Sequence, residues 1–251
     1  MSAPVMLVTG GSRGIGAATA HLAAQAGYRV VVNYAANSAA ADMVVGDIIA
    51  DGGQAFAIGA DVSDEEAVLA MFEQIDVRYG RLDGLVNNAG VVDDAERLED
   101  MSMDRLRRMF EINVFGTMLC AREAVKRMSS AHGGRGGTIV NLSSASVTLG
   151  SPSQFIDYAS SKGAVETFTM ALAKEVVGEK IRVNAVRPGI IDTEIHASGG
   201  DPDRVARLGS SLPMGRAGTA EEVASAIIWL SSDVSSYTTG AVVDVSGGRA
   251  V

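Results

Sequence analysis

The sequence has little cysteine and proline, and it has no long apolar run. Among its 251 residues are 5 prolines and a single cysteine, Cys120. One cysteine cannot form an internal disulfide, which fits a reducing compartment, and we interpret Cys120 as a small buried hydrophobe on a helix. No apolar stretch approaches the ~18 residues of a membrane span, and the residues from Met1 to Pro4 lack the basic start of a signal peptide. We therefore expect a cytoplasmic protein without a membrane segment.

Basic residues are also in the minority. Lysine and arginine number 21 against 30 aspartates and glutamates, a formal net charge of −9. A general nucleic-acid binder needs a basic surface, so the net charge argues against this class. The histidines, His21, His132 and His196, stand at no metal-ligand spacing from cysteine, histidine or acidic residues, and we expect no metal site.

Short apolar runs alternate with longer helical patterns along the chain. Hydrophobic residues make up 47% and charged residues 20%, enough apolar content for a sizeable core. We predict strands at residues 5–8, 29–33, 55–60, 84–87, 138–142, 181–186 and 241–245. We predict helices at residues 14–26, 38–51, 102–128, 156–177 and 221–230, with another starting at Ser63 in a capping box with Glu66.

The predicted strands are continuous Val/Ile/Leu runs, which is typical of strands buried on both faces. Alternation of strands and helices predicts an α/β fold: a doubly wound, Rossmann-type parallel sheet of about seven strands with helices on both faces. We expect residues 1–251 to form one domain. Ligands of such sheets bind beyond the carboxyl ends of the strands.

A glycine-rich turn follows the first strand. Its G-x3-G-x-G spacing lets the backbone approach a pyrophosphate at a helix N-terminus, where N–H groups and the helix dipole favour anions. The residues predicted to bind a dinucleotide here are Gly10, Ser12, Arg13, Gly14, Ile15 and Gly16.

The end of the second strand bears on which dinucleotide binds. An acidic residue there would hold the ribose hydroxyls of NAD, but this chain has the neutral pair Asn33 and Tyr34. Arg13 can reach the same region, and a guanidinium binds a phosphate strongly. These residues favour NADP(H), with NAD(H) as the alternative.

A tyrosine and a lysine are placed to exchange a proton with an alcohol or a carbonyl. Tyr158 and Lys162 are four apart on a predicted helix and so share a face. A nearby ammonium is expected to lower the pKa of the phenol from about 10. Ser144, after the fifth strand, can hold the reacting oxygen beside Tyr158.

Together these residues resemble the short-chain dehydrogenase/reductase family over essentially the whole chain. The matching motifs are Thr9–Gly16, Asp61, Asn87-Asn88-Ala89-Gly90, Asn113, the serines before Ala145, Y-x3-K and Arg187-Pro188-Gly189. The branch is similar to the β-ketoacyl carrier-protein reductases and bacterial glucose 1-dehydrogenases.

The resemblance implies roles for residues that spacing alone does not assign. Tyr158 would be the acid/base, Lys162 would lower its pKa and bind the nicotinamide ribose, Ser144 would position the substrate oxygen, and Asn113 would hold a water linked to Lys162. Further cofactor contacts are implied for Asp61, Val62, Asn88, Ala89, Gly90, Pro188, Gly189, Ile191 and Thr193. Members of the family are commonly tetramers, so a homotetramer is expected.

Two features keep alternatives open. The interval from Ser144 to Tyr158 is 14 residues, one longer than in many members, which leaves Ser143 as the alternative to Ser144. The polar segment 194–213 is expected to form a substrate lid with a short helix near residues 202–208. We interpret His196, within it, as a surface residue of the lid.

The sequence therefore predicts an NADP(H)-dependent oxidoreductase that transfers hydride between a nicotinamide and a small-molecule carbonyl or secondary alcohol. One alternative is an NAD(H)-dependent sugar or hydroxysteroid dehydrogenase. Another is a dinucleotide-binding regulator without catalysis, against which the intact Asn-Ser-Tyr-Lys set argues.

Overall fold

The computed structural model describes residues 3–250, which contain one parallel sheet. Its strands are β1 (Val5–Val8), β2 (Arg29–Tyr34), β3 (Gln54–Gly59), β4 (Gly84–Asn87), β5 (Gly137–Leu142), β6 (Ile181–Pro188) and β7 (Val242–Val245). The seven strands lie in the order β3-β2-β1-β4-β5-β6-β7, and each neighbouring pair is parallel. The predicted fold class is confirmed.

Helices connect the strands on both faces of the sheet. They are α1 (Gly14–Gln25), α2 (Ser38–Ala50), α3 (Glu65–Tyr79), α4 (Met103–Phe110), α5 (Thr117–Met128), α6 (Ser146–Leu149), α7 (Ile156–Val176), α8 (Ile195–Ser198), α9 (Arg204–Leu208) and α10 (Ala220–Ser231). Within residues 3–250, no helix is both long and apolar enough to cross a membrane.

The core has two layers, because successive side chains of a strand point to opposite faces of the sheet. On β1, Val5 and Leu7 pack with residues of α3, α5 and α7, whereas Met6 and Val8 pack with residues of α1, α2 and α10. All four side chains are fully buried. This two-sided burial explains why the strands read as continuous apolar runs. Cys120 is buried in the first layer, as predicted.

The predicted start of α3 is wrong in detail. The N-cap of α3 is Asp64, whose carboxylate accepts from the N–H groups of Glu66 and Ala67, while Ser63 donates to Asp61 instead. The capping box found in the structure is that of Thr219 and Glu222 at α10. Ser63 and Asp64 can both accept hydrogen bonds from the free N–H groups of the first helical turn. The spacing S-x-x-E does not show which of the two is the N-cap.

The predicted long helix over residues 102–128 is interrupted. Between α4 and α5, residues Glu111–Gly116 form a π-helical turn, a feature that is rare and often found at functional sites. Asn113 lies in this turn and is completely buried.

The strand order reverses between β1 and β4, and this defines the crevice where doubly wound sheets bind ligands. From β1 the chain builds outward through β2 and β3, then returns to the other side of β1 as β4. The glycine-rich turn follows β1, and Asn88 follows β4, so both lie at this switch point.

Candidate active site

The glycine-rich turn after β1 packs so closely that it tolerates no side chains at two of its glycines. Gly10 has a φ of +60°, a conformation that favours glycine. A Cβ on Gly16 would lie 2.3 Å from the carbonyl oxygen of Gly10 and 2.5 Å from Nδ2 of Asn88. That Nδ2 donates to the carbonyl oxygens of Thr9 and Gly10 at 2.9 Å each. The turn is therefore fixed against the end of β4.

The N-terminus of α1 is available to an anion. The N-cap residue, Arg13, makes no side-chain capping bond, and no acidic residue lies in the first turn of the helix. Arg13 is exposed, and its side chain has no ion-pair partner among residues 3–250. The helix dipole and free N–H groups at this end favour a phosphate, and one carboxylate of the protein lies nearby, since a Cβ on Gly14 would be 3.8 Å from Oε2 of Glu194.

The neutral residues at the end of β2 have different surroundings. The side chain of Asn33 is buried, accepts from the Gly10 N–H at 3.2 Å and donates to the Ala60 carbonyl oxygen at 3.0 Å. Asn33 therefore ties the turn to the sheet. Tyr34 lies against Gly59, where a Cβ would be 3.2 Å from the phenolic oxygen. Both residues line a cleft that runs beside the glycine-rich turn.

Asp61 and Val62 follow β3 at the same cleft. The Asp61 carboxylate accepts from the Ser63 N–H at 2.9 Å, which fixes the bend that presents both residues. Val62 is buried against Gly116, where a Cβ would lie 2.7 Å from it. Gly116, the last residue of the π-helical turn, must therefore be a glycine to pack against this loop.

The two serines after β5 both line the cleft around Tyr158, but their hydroxyls have different partners. Ser143 is buried, and its hydroxyl donates to Glu166, which also pairs with Arg187 at 2.7 Å. Ser144 lines the cleft at the sheet edge, accepts from the Ser146 N–H at 3.1 Å and hydrogen-bonds to Tyr158. Of the two, only Ser144 has its hydroxyl next to the phenol.

Tyr158 and Lys162 lie one turn apart on α7 and line the same cleft. The Lys162 ammonium is 5.7 Å from the centroid of the Tyr158 ring. It donates to the carbonyl oxygen of Leu142 at 2.8 Å, which anchors it to the end of β5. The helical spacing thus brings the pair together, with the ammonium beside the ring.

The electrostatic effect on the phenol differs from the expectation. Burial raises the pKa of Tyr158, and the hydrogen bond with Ser144 opposes this shift. The Lys162 ammonium, which was expected to lower the pKa of Tyr158, donates to the Leu142 carbonyl oxygen and lies 5.7 Å from the centroid of the phenol ring. Burial in turn lowers the pKa of Lys162 to about 8.

This lowered pKa predicts how stability depends on pH. A free lysine has a pKa of about 10.4, so between about pH 8 and pH 10 the unfolded chain binds more protons at Lys162 than the folded protein does. The free energy of unfolding should therefore rise with pH in this window, by up to about 3 kcal/mol relative to Lys162→Met. Urea unfolding of both proteins at several pH values measures this difference, and parallel stability curves would contradict it.

Asn113 is buried and lines neither the space around Tyr158 nor the space beside the glycine-rich turn. Its hydrogen bonds connect two elements behind these spaces. Its Nδ2 donates to the Val91 carbonyl oxygen at 3.0 Å and to the Ser161 hydroxyl at 3.1 Å, and its Oδ1 accepts from the Val91 N–H at 2.8 Å. A Cβ on Gly90 would lie 3.2 Å from that Oδ1 and 3.4 Å from the Lys162 ammonium. The π-helical turn thus joins the loop after β4 to α7.

Two adjoining clefts run along the carboxyl edge of the sheet. One, with about 1330 Å³ of empty space, follows the glycine-rich turn and the ends of β2 and β3, and the other, with about 910 Å³, surrounds Tyr158. Both are lined by Ile15, Asn88, Gly90, Thr193 and Ile195. The shared lining makes one groove that leads from the turn to the phenol.

Nearly all residues predicted to bind a dinucleotide line this groove. Along the turn side are Gly10, Ser12, Arg13, Gly14, Ile15, Asn33, Tyr34, Asp61, Val62, Asn88, Ala89, Gly90 and Thr193. Around the phenol are Tyr158, Lys162, Pro188, Gly189, Ile191 and Thr193. Gly16 lines neither cleft, because it is buried beneath the turn.

Several lining residues were not predicted from the sequence. Phe155 lines the cleft around Tyr158, as do His196, Asp201 and Arg204 from segment 194–213. His196 was interpreted as a surface residue, but it is half-buried there, and its ring Nε2 lies 2.8 Å from the Ile191 carbonyl oxygen. The mixed charge of the segment was the only sequence signal, and it does not reveal which side chains turn inward.

The comparisons with known proteins show the class of protein to which this fold and groove belong, the oxidoreductases. A family model described as enoyl-(acyl carrier protein) reductase matches residues 10–250. The uncharacterized oxidoreductase YgfF of Escherichia coli is 54% identical over 245 residues, covering 98% of this chain and 99% of that protein.

Two further comparisons agree. A 3-oxoacyl-[acyl-carrier-protein] reductase of Synechocystis is 38% identical, covering 99% of this chain and 97% of its own. The crystal structure of a short-chain type dehydrogenase/reductase from Mycobacterium marinum has a TM-score of 0.90 at 36% identity, covering 99% and 96% of the two chains. The chain belongs to the short-chain dehydrogenase/reductase family, whose members bind NAD or NADP.

Proposed function

We propose that this protein is an NADP(H)-dependent oxidoreductase that interconverts a carbonyl and a secondary alcohol. The observation that carries the proposal is that Ser144, Tyr158 and Lys162 line a cleft continuous with the glycine-rich turn. The turn fits a dinucleotide because it lines the cleft and leads into the N-terminus of α1, where free backbone N–H groups can meet a phosphate. When bound there, the nicotinamide supplies or accepts the hydride.

The chain's own residues move the proton. In the direction of reduction, Ser144 donates a hydrogen bond to the carbonyl oxygen, and the Tyr158 hydroxyl transfers its proton to that oxygen as the C–H bond forms. The phenolate left on Tyr158 lies beside the Lys162 ammonium, which stabilises the negative charge. The raised pKa of the buried phenol keeps it protonated at neutral pH, ready to act as an acid.

The other residues have positioning roles in this proposal. Asn113 holds the loop after β4 against α7 near Lys162. The family resemblance implies that Asn113 also binds a water linked to Lys162. Asn33 and Asn88 hold the turn in shape. Residues 194–213 act as a lid, which is supported by α8 and α9 lying within them and by their residues lining the cleft.

The family resemblance supports further proposals about the whole molecule. We place residues 1–251 in one domain of a cytoplasmic homotetramer. In support of the assembly, β7 lies at an edge of the sheet, and the side chain of Phe115, between α4 and α5, is 54% exposed. Sedimentation velocity measures the assembly, and a monomer at micromolar concentration would contradict it.

A substrate panel tests the reaction itself. The purified protein is mixed with NADPH or NADH and with ketones, β-ketoacyl thioesters and aldoses, and oxidation of the dinucleotide is followed by absorbance. We expect oxidation of NADPH with at least one carbonyl class. A regulator would bind the dinucleotide and oxidise it with none, which would refute the proposed activity.

Preference for NADP(H) is tested at Arg13. Replacement by alanine removes a charge-assisted bond to the 2′-phosphate, so the Kd for NADPH should rise about tenfold while that for NADH changes little. Fluorescence titration measures both. Arg97→Ala is the control, because Arg97 is exposed and its side chain, within residues 3–250, pairs with Glu99 alone. Equal losses for the two dinucleotides in Arg13→Ala would contradict the assignment.

A further inference from the structure

Arg204 is a cation in the catalytic cleft that the proposed proton transfer does not use. It begins α9 and lines the same cleft as Ser144 and Tyr158. Its side chain is 15% exposed, and the guanidinium carbon lies 5.2 Å from the centroid of the Phe155 ring. Burial also lowers the pKa of Arg204. A cation withdrawn from water in this way is stabilised by an anion that meets it.

The acid nearest to Arg204 satisfies it poorly. The only ion pair of Arg204 among residues 3–250 is with Asp201, at a nitrogen–oxygen distance of 3.5 Å. This exceeds the ~2.7–2.9 Å of a strong charge-assisted bond. The same oxygen of Asp201 is contacted more closely by Arg207. Most donors of the Arg204 guanidinium therefore lack a charged acceptor.

The charges that line the cleft leave an excess of one positive charge. The ionised side chains are the cations Lys162 and Arg204 and the anion Asp201. Burial lowers the pKa of His196, which keeps its ring neutral at pH 7. The cleft is thus complementary to a ligand that carries one negative charge.

We infer that Arg204 is the specificity-determining residue of the substrate site, and that it binds a carboxylate on the substrate. This rests on the proposed function: the oxygen to be reduced lies at Ser144 and Tyr158 while the carboxylate meets the guanidinium. The planar fork of arginine matches a carboxylate with two parallel bonds. A phosphate carries up to two negative charges, more than the cleft offsets. The substrate class is therefore oxo acids and the corresponding hydroxy acids.

Matched substrate pairs test this inference. Each pair is an oxo acid and its methyl ester. Levulinate with methyl levulinate is one pair, and 4-oxocyclohexanecarboxylate with its methyl ester is another. The measured quantity is the ratio of kcat/KM between acid and ester. The wild-type ratio should be about tenfold or more, the factor given by about 1.4 kcal/mol. Arg204→Met should lower the ratio about tenfold, and Arg204→Lys should retain part of the preference.

Arg107→Met is the matched control. Arg107 is 61% exposed, pairs with Asp104 and does not line the cleft, so its loss removes one positive charge without freeing Asp201 and should leave the ratio unchanged within about twofold. An equal loss in both methionine variants would overturn the inference, because it would show a general effect of charge.

The outcomes also separate this inference from the proposed function. A wild-type ratio near one for every pair, with esters still reduced, would refute carboxylate recognition and leave the reductase activity standing. Failure to oxidise the dinucleotide with any acid, ester or neutral ketone would refute the activity itself. If Arg204→Met does not fold, Arg204→Lys and the wild-type ratio still decide the question.

Discussion

Tyr158→Phe should lose turnover by 10²–10⁴-fold, about 3–5 kcal/mol of activation free energy, while the dinucleotide still binds. The variant removes only the hydroxyl that hydrogen-bonds to Ser144, so the ring that packs beside Lys162 remains. Without that hydroxyl, the carbonyl oxygen has no acid to protonate it as hydride arrives. Single-turnover absorbance measurements give the rate, and fluorescence titration gives the dinucleotide Kd.

Tyr237→Phe provides the comparison for this variant. Tyr237 is fully exposed and lines neither cleft, so its turnover should match that of the wild type. Near-normal turnover in Tyr158→Phe would remove tyrosine from the mechanism. A tenfold or larger loss of dinucleotide affinity would instead assign the hydroxyl a binding role.

Gly16→Ala should weaken dinucleotide binding by about tenfold or more and destabilise the protein by about 1–3 kcal/mol. The added Cβ would lie 2.3 Å from the Gly10 carbonyl oxygen, a backbone atom that can move only with the whole turn. Moving the turn also disturbs the Asn88 amide that holds it. Fluorescence titration and thermal unfolding measure the two effects.

Gly46→Ala is the matched control, because Gly46 is also helical but a Cβ there meets nothing within 4 Å. Alanine favours the helix, so this variant should be more stable by about 1 kcal/mol, with unchanged dinucleotide affinity. If Gly16→Ala behaved like Gly46→Ala, the close packing of the turn would have no role in binding.

The sheet and its strands could be predicted because their signal is local. Buried strands of a parallel sheet are apolar on both faces, so β1 and β2 are recognisable as runs of consecutive aliphatic residues. The glycine-rich turn and the Y-x3-K pair are likewise short motifs, and each spacing is set by one turn or one helix. The assignment to Ser144 over Ser143 was a choice that the strand end left open.

Helix ends and interruptions were harder to predict. The segment between Ala145 and Phe155 contains α6 and two serines, Ser151 and Ser153, with positive φ angles of 44° and 59°. Residues other than glycine adopt that conformation rarely, so no sequence pattern announces it. The π-helical turn around Asn113 was not predicted either, although Asn113 and Gly116 are poor helix formers, because the helical pattern continues on both sides of the turn.

The sequence by itself determined the fold class, the strands and the motifs at their carboxyl ends, because each depends on neighbours in the chain. Only the tertiary structure decided which serine meets the phenol, and that burial raises the pKa of Tyr158. It also decided that Arg204 turns into the cleft. These properties depend on how much water and which distant groups surround a side chain, and packing between remote segments sets both.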